Sequence, residues 1–296
     1  MTEFFQQLIN GLSLGAMYAL LALGYTLVYG VLRFINFAHS DVFMVGAFAG
    51  LYVGRSFHNS SVGNGIIIML VSMLLCAVLG IIIERFAYRP LRQRSKLTVL
   101  ITAIGVSLLL ENAGQLVFGA NPQAFPQVFP AQQFTKGDLI ISSKDIVVLG
   151  VTITLVALLQ FIVLKTKIGT AMRAVSFNAP AASLMGININ IIISFTFGLG
   201  SALAAAAGIL WGYKFPKIDP LMGIAPGLTA FVAAVLGGIG NIPGAALGGL
   251  LIGVIETFVR GSRWSTWTEA IAFVLLIAML LFRPAGLLGK LQPEKV

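Results

Sequence analysis

The chain has 296 residues, of which 58% are hydrophobic and 10% charged, with a mean hydropathy of +0.96. A water-soluble domain of that size carries about a quarter charged residues, so the composition excludes one and points to a multi-pass helical membrane protein. The formal charge of +9 belongs with basic loops on the cytoplasmic side of a bilayer. Aromatic-plus-basic patterns of nucleic-acid binding are absent, and no nucleic acid is expected as a partner.

The first residues, MTEFFQQLIN, lack a basic leader region, and the apolar run continues past Tyr25. They read as a first span and not as a cleaved signal. Apolar segments follow in order at Leu8–Tyr29, Phe37–Val53, Gly65–Ile83, Leu97–Phe118, Ile146–Leu164, Ile191–Trp211, Gly223–Ile239, Pro243–Val259 and Thr268–Phe282. Nine spans, give or take one, use nearly the whole length. The expected fold is therefore an all-α polytopic bundle of about eight to ten transmembrane helices, one membrane domain over residues 1–296. The second and seventh segments are the weakest, because a run of about 17 residues reaches only about 26 Å of a roughly 30 Å core. Cys76 is the single cysteine, which excludes an internal disulfide and a cysteine metal site.

Charge sets the orientation. ERFAYRPLRQRSK holds Arg85, Arg89, Arg92, Arg94 and Lys96; the connection after the fifth span holds Lys165, Lys167 and Arg173; the tail holds Arg283, Lys290 and Lys295. In the loop at about 119–145, Lys136 and Lys144 are balanced by Asp138 and Asp145. The basic segments belong inside and the balanced loop outside. Nine spans then put the N-terminus outside; ten would put it inside. Within that loop, ANPQAFPQVFPAQQF reads as an extended cover over the spans, with a docking surface for an extracytoplasmic partner as the second reading.

A charge at mid-bilayer costs about 2.5–3.5 kcal/mol on insertion scales, so intramembrane ionisable groups are functional candidates. RFINFAHSDVF puts Asn36, His39, Ser40 and Asp41 at the start of the second span. Ser40 or Asp41 alone could cap the following helix; the group as a whole reads equally well as part of a path or gate. Glu84, beside Arg85, reads as solvated at the inner interface. Glu111, next to Asn112, and Glu256 lie toward the outer ends of their spans and read as interhelical hydrogen-bond partners, with proton carriage second. LGGIGNIPGAALGGLLIG sets Gly240, Gly244 and Gly248 at four-residue spacing, with Ala245, Gly249 and Gly253 one position on. Such small-residue ridges allow close helix packing in lipid. Gly237, Gly238, Gly240 and Asn241, around the Pro243 break, are also candidates for a turn beside a moving interface or a path lining.

No enzyme chemistry emerges. The chain has no Gly-x-x-x-x-Gly-Lys-Ser/Thr phosphate loop and no HExxH, and no Gly-x-Ser-x-Gly elbow. With only His39 and His58, a histidine-rich metal site is excluded. No cofactor is expected on this chain; if ATP energy is used, another chain binds the nucleotide.

The cytoplasmic segment at about 165–190 contains FNAPAASLMGIN. Asn178 is a good N-cap, Pro180 suits a first helical turn, and Gly186 is placed to end the helix in the left-handed conformation. The spacing predicts a helix of about two turns over Ala179–Met185, presenting Ala, Ser, Leu and Met. An apolar knob in a cytoplasmic connection suggests a docking surface for a soluble partner.

Ala181-Ala182-x-x-x-Gly186 resembles part of the "EAA" coupling loop of permease subunits in bacterial ABC importers, with Pro180 where that motif has Glu. YGVLRFINFAHSDVFMVGAF, LITAIGVSLLLEN, RAVSFNAPAASLMGIN, FVAAVLGGIGNIPGAALGGLLIGVIE and RPAGLLGK extend the resemblance, end to end, to the LivH-type permease of branched-chain amino-acid importers. It implies a partner permease of the LivM type, two cytoplasmic ATPases carrying ATP and Mg, an extracytoplasmic binding protein, leucine, isoleucine and valine as substrates, and a place in the bacterial inner membrane. It also implies contact with the ATPases through Arg173, Asn178, Pro180, Ala181, Ala182, Leu184, Met185, Gly186 and Asn188. Importers of urea, short amides or other amino acids share these motifs. A stand-alone secondary transporter using His39, Asp41, Glu111 and Glu256 is the alternative from another class.

Overall fold

The computed structural model describes residues 2–57, 59–92, 94–136 and 139–289. His58, Asp138, Lys290 and Lys295, with the side chains of Lys96 and Lys136, lie outside the described residues. The helices are α1 (Thr2–Leu32), α2 (His39–Arg55), α3 (Val62–Ile83), α4 (Lys96–Phe118), α5 (Ser143–Lys165), α6 (Lys167–Phe177), α7 (Ala179–Leu184), α8 (Ile189–Lys214), α9 (Ile224–Gly237), α10 (Ile242–Arg260) and α11 (Thr268–Phe282). Nine of them occupy the nine apolar segments. Seven are long and apolar enough to cross a membrane, and the protein is an all-α polytopic membrane protein. Among the described residues four short strands lie between them: β1 (Gln123–Ala124), β2 (Gln133–Lys136), β3 (Leu139–Ser142) and β4 (Lys217–Ile218).

The central helix is α1. α1 is apolar on every side and is buried from Ser13 to Val28, as a helix enclosed by others should be. Small residues set what can approach it. On α10, Gly249 meets the backbone of Ala19, and Gly253 meets that of Gly15. The ridge one position earlier faces elsewhere, with Gly244 against Gly237 and Gly248 against Ala233, both on α9. The two small-residue ridges read from the sequence thus serve two neighbours, which lets α10 wedge between α1 and α9.

Sidedness follows from what each end of α1 touches. At its start, Gln6 donates to the carbonyl of Ile140 and accepts from that residue's N–H, both at 3.0 Å. At its end, the Ser176 hydroxyl donates to the carbonyl of Gly30. The N-terminus therefore shares a side with the balanced loop, and Leu32 with the basic connection, the arrangement nine spans require. The loop lies across the outer ends: β1 pairs antiparallel with β4, β2 with β3, and Phe125, Val128 and Phe129 are buried beneath. Lys214 at the end of α8 pairs with Asp145 at the start of α5, 2.7 Å away.

The two weak segments are short because both helices start inside the bundle. At 1.5 Å per residue α9 is about 21 Å long, too short to span the hydrocarbon core. α2 begins with His39 against Gly24 of α1, roughly 12 Å before the inner end of that helix, and runs outward until Arg55 donates to Gln123 (2.9 Å). α9 begins beside it, with Gly223 and Gly227 against Ser40, and runs inward. Its last carbonyls, Leu236 and Gly237, accept from the N–H groups of Leu287 (2.8 Å) and Leu288 (3.1 Å).

At the inner face one expectation is corrected. Glu84 is not solvated: it is fully buried, in a π turn (Glu84–Tyr88) followed by a 3-10 turn (Arg89–Leu91). Its carboxylate accepts from Arg89 (3.0 Å), Arg92 and Ser194 of α8 (2.5 Å), while Arg92 also donates to Asn190 (2.9 Å). Burial pushes the Arg92 guanidinium down to about 10, which leaves it a cation at neutral pH. The reason for the correction is that the helix continues past Glu84 and carries two arginines back over it. Glu84→Ala leaves the largely buried Arg92 without its carboxylate, and a cost of about 3 kcal/mol is expected, to be measured as a fall in thermal stability; an unchanged melting temperature would show that the network adds nothing. The same face also carries α6, an extra helix before the predicted one. Thr166 caps it by accepting from Gly169 N–H (3.1 Å), and Gly169, Met172 and Val175 form its buried stripe.

Candidate functional site

The Asn36–Asp41 group sits where α2 begins, at mid-depth. Neither Ser40 nor Asp41 is the helix cap: the N-cap position is Ala38, without a side-chain hydrogen bond. Each polar residue of the group instead engages a different neighbour. Asn36 accepts from the Tyr88 hydroxyl at 2.6 Å. His39 packs on Tyr25 of α1, ring centroids 4.8 Å apart. Ser40 donates to the carbonyl of Phe37 (3.0 Å) and rests on α9. Asp41 accepts from the Ser107 hydroxyl of α4 at 2.6 Å. Asn36, His39, Ser40 and Asp41 are all buried. The junction is thus a hub where α1, the turn after α3, α4 and α9 hold the start of α2. Helices that begin or end within the membrane often border transport sites.

Glu111 lies one turn beyond Ser107 on the same side of α4 and acts electrostatically on Asp41. The other candidates lie elsewhere. Glu256 pairs with Arg260 one turn on (2.5 Å) and also engages Tyr18 of α1. Gly237, Gly238, Gly240 and Asn241 form the inner turn between α9 and α10. Gly238 and Gly240 adopt positive φ; Asn241 caps α10 by accepting from Gly244 N–H (3.1 Å) and donates to Leu288 O (2.6 Å). Gly240 and Asn241 also line a cavity of about 920 Å³ at the inner end. Ser107, Tyr88, Gly223 and Gly227 were not singled out from the sequence. The signal for the glycines was present, since Gly223 and Gly227 flank Pro226 at a spacing that keeps them on one face of a helix.

In the inner connection, Asn178 accepts from Ala181 N–H (3.0 Å) and Pro180 fills the first turn of α7. Gly186 is left-handed at φ +84°, and the N–H of Ile187 reaches back to Ala182 O (3.1 Å), closing the helix as a glycine C-cap does. Asn188 caps α8 by accepting from Asn190 and Ile191 N–H. Ala182 faces inward and is buried, whereas Leu184 and Met185 are 90% and 83% exposed and Phe177 is exposed beside them. Arg173 bonds inward, to the carbonyl of Val163 and to Thr170. The knob is therefore rigid at both ends and apolar at its tip.

A polytopic bundle with two short helices meeting inside it, and an apolar knob on its basic face, belongs to the class of membrane transport permeases. The family model described as "Branched-chain amino acid transport system / permease component" matches residues 7–280. The permease protein BraD of the high-affinity branched-chain amino acid transport system of Pseudomonas aeruginosa is 40% identical, over 99% of this chain and 98% of that protein. LivH of the corresponding Escherichia coli system is 38% identical over the same shares. The chain belongs to the family of permease components of branched-chain amino acid transport systems.

Proposed function

We propose that this chain is one of two membrane subunits of an ATP-driven importer in the bacterial inner membrane, carrying leucine, isoleucine and valine into the cytoplasm. Its partners in this reading are a second permease of the LivM type, two cytoplasmic ATPases and an extracytoplasmic binding protein. The observation that carries the reading is the capped knob: Leu184, Met185 and Phe177 stand exposed on the basic face, a surface that needs a protein partner. α7 stands between α6, which hydrogen-bonds to α1 through Ser176, and α8, which Asn188 caps. A push on the knob therefore reaches the central helix and the α8 side of the Glu84 network together.

In this mechanism the junction of α2, α4 and α9 is the part of the path contributed by this chain. Asp41 and Ser107, with Glu111 beyond them, would meet the ammonium group of a passing amino acid. The assembled complex in proteoliposomes should hydrolyse ATP faster when the loaded binding protein is added outside. Leucine uptake by this chain alone under a pH gradient would overturn the reading. Within the complex, Asp41→Asn should lower uptake by roughly tenfold or more, the scale of one hydrogen bond to a charged group, with assembly yield unchanged. Loss of uptake only in step with loss of assembly would make Asp41 a clamp between α2 and α4.

A further inference from the structure

Resting on the reading of α7 as the ATPase contact, we propose that the hydrogen bond from Tyr88 to Asn36 is the link by which a push on the knob reaches the start of α2. Tyr88 is then a positioning residue: it acts on transport through Asn36, five residues before Asp41 in the chain. The link lies in the segment between α3 and α4. Glu84 and Tyr88, at the two ends of the π turn, are fully buried, whereas Phe86 between them is 74% exposed. The turn is held at its ends and stands out at its middle.

Its first end belongs to α8. Ser194 donates to Glu84 (2.5 Å), and Arg89 donates to Glu84 (3.0 Å) and to Ser194 (2.8 Å). Arg92 bonds both Glu84 and Asn190 (2.9 Å). Asn190 and Ser194 lie in the first two turns of α8, just after the cap Asn188 that ends the connection from the knob. Its second end sits between α8 and the turn before α2. The Tyr88 ring packs on Phe197 of α8 and stacks on Phe34, with centroids 5.3 Å apart in each case. The Tyr88 hydroxyl donates to Asn36 at 2.6 Å, and the carbonyl of Asn36 accepts from the N–H of His39 (3.2 Å), the first residue of α2. Stacked rings slide at little cost, but a buried hydrogen bond is directional and costly to leave unmade. A displacement of α8 at Asn190 and Ser194 is therefore passed to α2 through one turn of five residues. Single π turns in helices recur at functional sites, and this one joins the two elements that have to move together.

The test compares leucine uptake with ATP hydrolysis in the complete complex, reconstituted in proteoliposomes with its loaded binding protein. Tyr88→Phe removes the hydroxyl and keeps the ring. Leucine taken up per ATP hydrolysed should fall roughly fivefold or more, with assembly yield unchanged. Asn36→Ala should lower the same ratio, and the double variant should lose no more than either single one, because both remove one bond. Ser194→Ala loosens the α8 end of the link and should lower the ratio too; it decides the matter if Tyr88→Phe does not assemble. An unchanged ratio in an assembled variant, or a double variant whose loss is the product of the single losses, overturns the proposal. Uptake and hydrolysis falling in equal proportion overturns it as well, since Tyr88 would then only support the fold. The two readings fail differently: a wild-type complex that takes up no leucine on ATP sinks the proposed function and this link with it, whereas wild-type uptake matched by Tyr88→Phe sinks the link alone.

Discussion

Leu184→Asp combined with Met185→Asp is expected to strip the ATPases from the purified complex while the chain still inserts and folds. The two side chains are the tip of the knob and contact almost nothing within the protein, so the fold loses little. Burying a Leu or Met in a partner is worth about 1.5–3 kcal/mol each, and a carboxylate in the same pocket adds a desolvation cost. The ATPases should therefore bind roughly a hundredfold more weakly or worse, read by co-purification and by loss of stimulated ATP hydrolysis. Undiminished co-purification would remove α7 as the coupling contact. Ala182→Glu, which the sequence motif invites, is a poor substitute because Ala182 is buried and its replacement attacks the packing of the knob itself.

Gly249→Leu is expected to prevent accumulation of folded protein. A Cβ at that position would lie 2.5 Å from the Cα of Ala19, against main chain that has no flexible end to yield. Overpacking a core costs about 1–3 kcal/mol where side chains can move, and more is expected here, with α10 driven off α1. The controls are in the same membrane: Gly105→Ala on α4 and Gly150→Ala on α5 meet nothing within 4 Å and should be neutral or stabilising by up to about 1 kcal/mol. Thermal unfolding of the detergent-solubilised protein separates the cases. Equal melting temperatures for Gly249→Leu and Gly105→Ala would refute the account of the glycine ridges.

What the sequence made legible was whatever depends on local chemistry. Asn178 and Gly186 identified both ends of α7 because a cap is decided within a few residues. The two glycine ridges of α10 were visible in the spacing, although which ridge meets α1 and which meets α9 depends on chain more than two hundred residues away. The shortness of the second and seventh segments was visible as well. That both start at one depth and touch was not, since the contact of Ser40 with Gly223 is tertiary. Glu84 was misread because its nearest basic neighbour in sequence, Arg85, is not among its partners, which are Arg89 and Arg92 one and two turns on and the distant Ser194. α6 went unassigned because its buried stripe is only Gly169, Met172 and Val175, too weak a pattern without the α5 end it packs on.

The enclosure of α1 has a consequence for how the protein is made. α1 leaves the ribosome well before α10, whose glycines fit against it and which begins only at Ile242. At ordinary synthesis rates that partner follows roughly 10–40 s later. Through that interval Gly11, Gly15 and Ala19 face lipid or a temporary neighbour, and a truncated chain ending before Ile242 displays the unfilled seam for as long as it survives. Membrane quality control could recognise incomplete copies by that groove alone.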